Sequence, residues 1–165
     1  MNNLYSRLSD RIRGEASDLD RIVERALSAW RKLQKEPEQM DACLDSVALN
    51  LHAFYSGIER LFELVARDID QSVPDGEMWH RDLIKQMAEE IAGVRPAIVN
   101  PERVSSLDSL RRFRHLVRNI YSFNLIPERV EPLICDLPEL WSFLQKELVA
   151  FADFLGQLAL ETHSS

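Results

Sequence analysis

Glycine and proline are scarce, at 5 and 7 in 165 residues. Turn punctuation is therefore thin, which excludes an architecture of many short strands joined by tight turns. Cysteine is scarcer still. Cys43 and Cys135 stand alone with no C-x-x-C, which excludes a disulfide scaffold and a thiolate metal site, and the pair reads as small buried apolar residues with free thiols. No stretch reaches the ~18 uninterrupted apolar residues of a membrane span. The start, MNNLYSRLSDRIRGEASD, is polar and periodic, unlike a secretory leader. With lone cysteines, that argues for a reducing, cytoplasmic setting and no membrane partner. Positive charge is in deficit, with a formal net charge of −7. An acidic chain does not coat nucleic acid indiscriminately, yet it is free to carry one local basic site.

Several chemistries are missing as well. There is no glycine-rich phosphate loop, no G-x-S-x-G and no Cys/His zinc spacing. Glu77-Met-Trp-His80 matches the Glu-x-x-His of di-iron bundles, but the motif occurs once and such a centre needs it twice. No metal and no cofactor are therefore expected. His52 reads as a bundle histidine, and His163 sits in the polar tail.

What remains is helical periodicity. The first helix is expected over about 3–35, with Leu8, Ile12, Leu19, Val23, Ala26, Trp30 and Leu33 in phase and Gly14 a weak point. Glu36-Pro37 ends it, because the residue before proline is pushed out of the α region. The second, over about 38–70, has the cleanest signal. Met40, Leu44, Val47, Leu51, Phe54, Ile58, Leu61 and Val65 alternate steps of four and three, the seam of long helices crossing at a shallow angle. A shorter helix is expected from Glu77 to Ile91, capped by Gly93. Val94–Asn100 reads as a loop laid against the bundle. Asn100 then caps, and Pro101 opens, a helix over about 101–124. A short helix over 128–136 and a last one from Pro138 complete the chain. The sum is an all-α, antiparallel four-to-five-helix bundle forming one domain over residues 1–165.

One stretch stands apart. Ser109–Pro127 holds Arg111, Arg112, Arg114 and Arg118 with no acidic residue between. Leu110, Phe113, Val117 and Ile120 share an apolar face, while Arg111, His115, Arg118 and Ser122 share another, with Arg114 and Tyr121 beside it. Such a helix can bury one stripe and offer cations, an imidazole and a phenol to an anion. His80 opens the third helix next to a glycine-containing turn, where exposed N–H groups favour anions.

The segments LHAFYSGIERLFELVARDID, EMWHRDLIKQM and RRFRHLVRNIYSFNL resemble the HEPN superfamily and, more narrowly, the bacterial HepT-like toxins, over most of residues 40–155. The resemblance implies a metal-independent endoribonuclease that acts on RNA, often tRNA or mRNA, as a homodimer whose groove is shared by two arginine-histidine helices. It also implies a minimal nucleotidyltransferase antitoxin that modifies a motif tyrosine. The family motif is Arg, four to six residues, then His. Arg118-Asn119 matches its first half, but Phe123 stands where the histidine is expected, and His115 precedes the arginine.

A displaced site would work as follows. His115 would transfer protons, since imidazole titrates near neutrality. Arg114 and Arg118 would clamp the phosphate with guanidinium forks. Asn119, Arg111 and His80 would bind substrate, and Tyr121 would stack a base, donate a hydrogen bond or be the antitoxin's target. A second protomer would supply a second His115. Two readings compete with this one. The same basic face would serve a binding module without catalysis, holding RNA, a nucleotide or a nucleotidyltransferase. A purely structural bundle leaves the arginines without a role.

Overall fold

The computed structural model describes residues 2–119 and 125–162, with only the backbone described at Asn2 and Asn119. Its five helices are α1 (Asn2–Lys35), α2 (Met40–Asp68), α3 (Trp79–Met87), α4 (Val104–Asn119) and α5 (Pro127–Glu161). Short 3₁₀ turns, Pro37–Gln39 and Pro101–Arg103, lead into α2 and α4. Among the described residues there is no strand, only an isolated antiparallel bridge between Ile91 and Arg95. The chain is an all-α helical bundle, as the periodicity predicts.

The expected stripes form the core. Leu8, Ile12, Leu19, Val23, Ala26 and Leu33 of α1 are buried, and so are the α2 seam residues from Leu44 to Val65, leaving Met40 at the exposed end. α1 packs mainly on α2 and α5, and α2 also meets α3 and α4, so α2 is the central rod. Each fully buried Leu, Ile or Phe contributes roughly 1.5–3 kcal/mol. Gly57 lets α1 approach α2: a Cβ there would stand 2.8 Å from Leu19 Cδ2.

Two expectations about boundaries change. α3 ends at Met87, so Gly93 does not cap it. Gly93 (φ +76°) instead turns the chain within the Ile91–Arg95 bridge, a conformation that favours glycine. The two helices expected around Pro138 are one, α5, with Pro132 and Pro138 inside it. Both rings lie on the exposed side, while Val130, Ile134, Leu137 and Trp141 pack into the core on either side of them. That burial outweighs the lost ladder bonds, each proline costing about 3 kcal/mol. Cys43 is buried, but Cys135 is exposed, contrary to the expectation for it.

The loop after α3 is tied down by a buried ion pair that no periodicity announces. Arg95 and Asp70 expose no side-chain surface. Arg95 Nε donates to Asp70 Oδ1 at 2.5 Å, and Nη2 to Oδ2 at 2.7 Å. Its remaining N–H groups reach the carbonyls of Glu89, Pro96 and Gln86. Gln86 adds a bond to Asp70 Oδ2 and one to the Ser72 carbonyl. All five guanidinium donors are used, as a buried arginine requires. The result clamps α3 and the 88–99 loop to the end of α2. At the start of α4, Asn100 Oδ1 accepts from Glu102 N–H at 2.9 Å, the expected cap. Arg103 lies over the Phe143 ring, 3.9 Å from its centroid, and holds that end to α5.

Candidate functional site

The basic face of α4 is only partly covered: Arg111 and Arg114 are half-buried, while Arg112, His115 and Arg118 are exposed. Leu110 and Phe113 are buried, with Val117 packed against the core beside them, and this turns the neighbouring face toward α2 and the start of α3. Arg111, Arg114, His115 and Arg118 there meet Tyr55 of α2 and His80 of α3 around a pocket of about 340 Å³. Five of the expected site residues thus share one concavity. Asn119 has no described side chain, and Tyr121 lies outside the described residues.

The hub of the site is Glu59, which sequence reasoning missed. It is only 5% exposed and sits one turn beyond Tyr55 on α2. Oε1 accepts from Arg114 Nη1 at 2.7 Å. Oε2 accepts from Tyr55 Oη at 2.9 Å and lies 2.8 Å from His80 Nδ1. Burial by itself would raise the Glu59 acid, but bonds from Arg114, His80 and Tyr55 outweigh it and hold the group below the ordinary carboxylate range. Glu59 is therefore a carboxylate at neutral pH and only accepts, so Nδ1 of His80 carries the proton. Burial pushes the Tyr55 phenol well up, with the Glu59 charge adding to it, and Tyr55 stays a donor. Trp79 stacks on the His80 ring at 3.6 Å between centroids. The Arg114 guanidinium lies 5.4 Å from the Tyr55 ring centroid.

The arginines are less available than their spacing implies. Arg111 Nε donates to Asp108 Oδ1 at 2.7 Å, and Arg112 pairs with the same carboxylate at 3.4 Å. Asp108 lies just outside the acid-free stretch, three and four residues earlier, and could have been read as their partner. Arg114 belongs to Glu59. Arg118 lines the pocket and is exposed. His52 also lies close by: burial first, then the charges of Arg114 and Arg118, lower its affinity for a proton. The phosphate clamp expected of Arg114 and Arg118 is thus unequal, with Arg114 already holding a carboxylate at the pocket wall.

The partner of His80 is Glu59, not the glutamate three residues before it. Among the described residues no three His, Cys, Asp or Glu side chains converge to hold a metal ion. No helix there is long and apolar enough to cross a membrane.

A helical bundle thus gathers arginines and histidines of two neighbouring helices around a small polar pocket, backed by one buried carboxylate. A family model described as HepT-like protein matches residues 46–155. The match spans α2 to α5 and covers the whole pocket, and the chain belongs to this HepT-like family of the HEPN superfamily. No curated protein and no solved structure matches it.

Proposed function

We propose that this protein is a metal-independent endoribonuclease of the toxin type, acting on RNA such as tRNA in the cytoplasm. A minimal nucleotidyltransferase antitoxin would neutralise it. The observation that carries the reading is the convergence of His115, Arg118, Arg114, Arg111 and His80 on one pocket in a chain of the HepT-like family.

The chemistry needs three things: a base for the 2′-hydroxyl, an acid for the leaving 5′-oxygen and cations for the phosphoryl oxygens. His115 transfers protons. Arg118 carries the main phosphate contact, because a guanidinium matches two oxygens at once. Arg114 holds the far wall through Glu59 and lends the phosphate a second, weaker contact. Asn119 and Tyr121 follow in the sequence and would contact substrate or antitoxin. As a homodimer, the protein would bring a second His115 to a groove shared by two protomers, giving an acid and a base from one position.

The test is incubation with total tRNA in EDTA, followed by detection of 2′,3′-cyclic phosphate and 5′-hydroxyl ends. Wild type is expected to produce them, with His115→Ala slower by about 10²–10⁴-fold. If His115→Ala cuts as well as wild type, the assignment of His115 is wrong.

The carboxylate partners of Arg111, Arg112 and Arg114 favour one other reading, a binding module that holds RNA or a nucleotide without cutting it. Retention of labelled tRNA with no new ends would establish that instead.

A further inference from the structure

The ribonuclease reading borrows its second imidazole from a partner protomer. The pocket already contains another one. We propose that His80 is the general acid of the reaction, held in its working tautomer by Glu59. The inference rests on the ribonuclease reading.

Geometry carries it. His80 opens α3, which the Arg95–Asp70 clamp fixes against α2. Nδ1 is committed to Glu59 Oε2 at 2.8 Å. The other proton site, Nε2, is on a ring that lines the pocket together with His115 and Arg118, and about one third of that side chain is exposed. Glu59 is itself immobilised by Tyr55 and Arg114. A buried carboxylate behind an imidazole fixes its tautomer and stabilises the imidazolium that a general acid has to carry. Trp79 stacked on the ring holds its plane. The charged and titratable groups facing His80 are Glu59 and Tyr55 from α2, and Arg111, Arg114, His115 and Arg118 from α4.

Protons balance across the pair. Neutral His115 takes the proton of the 2′-hydroxyl as that oxygen attacks phosphorus. The phosphorus–O5′ bond breaks, and the His80 imidazolium gives its Nε2 proton to the leaving oxygen. The products are a 2′,3′-cyclic phosphate and a 5′-hydroxyl. His115 leaves charged and His80 neutral, and exchange with water resets both.

The experiment measures cleavage of total tRNA in EDTA against pH for wild type, His80→Ala, His80→Gln, Glu59→Gln and His115→Ala, with circular dichroism to score folding. Both His80 variants should lose about 10²–10⁴-fold at neutral pH and one limb of the pH–rate profile, and added imidazole should restore part of the His80→Ala rate. Glu59→Gln removes the carboxylate that fixes the Nδ1 proton of the ring, so a folded Glu59→Gln should cut more slowly than wild type, toward the rate of His80→Gln. A folded His80→Gln that keeps both limbs and cuts like wild type overturns the proposal while leaving the ribonuclease reading intact. Wild-type protein that makes no cyclic ends overturns both.

Discussion

At the residue scale, Glu59 decides the character of the site. It joins α2, α3 and α4 through Tyr55, His80 and Arg114, and it ties one of four closely spaced arginines to the pocket wall. Removing one member of such a buried pair costs about 3–5 kcal/mol. Glu59→Gln should therefore lower stability at pH 7, measured by urea unfolding. The sign with pH follows from the lowered acid. A depressed folded-state value contributes stability above the ordinary carboxylate range, and that stability is lost as pH falls through the folded value. The gap between wild type and Glu59→Gln should be widest at neutral pH and close as pH falls below the ordinary carboxylate range; an unchanged gap would place its stabilisation outside ionisation. The partner of Arg114 could not be read from the sequence, because 55 residues separate it from Glu59 and helical spacing relates only residues within a turn or so. The Arg111–Asp108 pair, three residues apart, was legible in principle.

At the element scale, two contacts set where α1 and α3 lie. Gly57 is the close approach of α1 to α2. A valine there meets Leu19 in a full core, and overpacking of that kind costs about 1–3 kcal/mol, so Gly57→Val should unfold at lower urea. A neutral or stabilised variant would show that Leu19 can move aside. The Arg95–Asp70 pair does the same for α3. Arg95→Ala leaves Asp70 buried without its charge partner, a loss of about 3–5 kcal/mol. It should also speed hydrogen exchange in α3 ahead of α1, which would be absent if the pair merely decorated the loop. Element boundaries followed local chemistry where a cap or an X-Pro pair spoke clearly, as at Glu36-Pro37 and Asn100-Pro101. They failed at Pro138, where packing on both sides outweighed a local breaking signal.

At the scale of the whole molecule, an acidic bundle carries a basic concavity whose arginines are partly neutralised from within. RNA binding should then depend only weakly on salt. With one to three phosphate contacts, log affinity should fall against log salt with a slope of roughly 1–2, at about 0.7 per contact on single strands. A slope near ten would mean a basic surface much wider than this pocket. Filter binding of tRNA by His115→Ala across salt concentrations measures it without cleavage.

Apolar spacing in the sequence was enough to determine an all-α bundle, the central place of α2 and the face of α4 that bears Arg111, His115 and Arg118. Those follow from period alone, since burial needs only that apolar residues recur every three or four positions. Tertiary structure alone decided that Glu59 stands behind His80 and Arg114 and that Arg95 locks α3 in place. Hydrogen bonds between helices depend on which turns come into register when the bundle closes, and no pattern within a single helix encodes that.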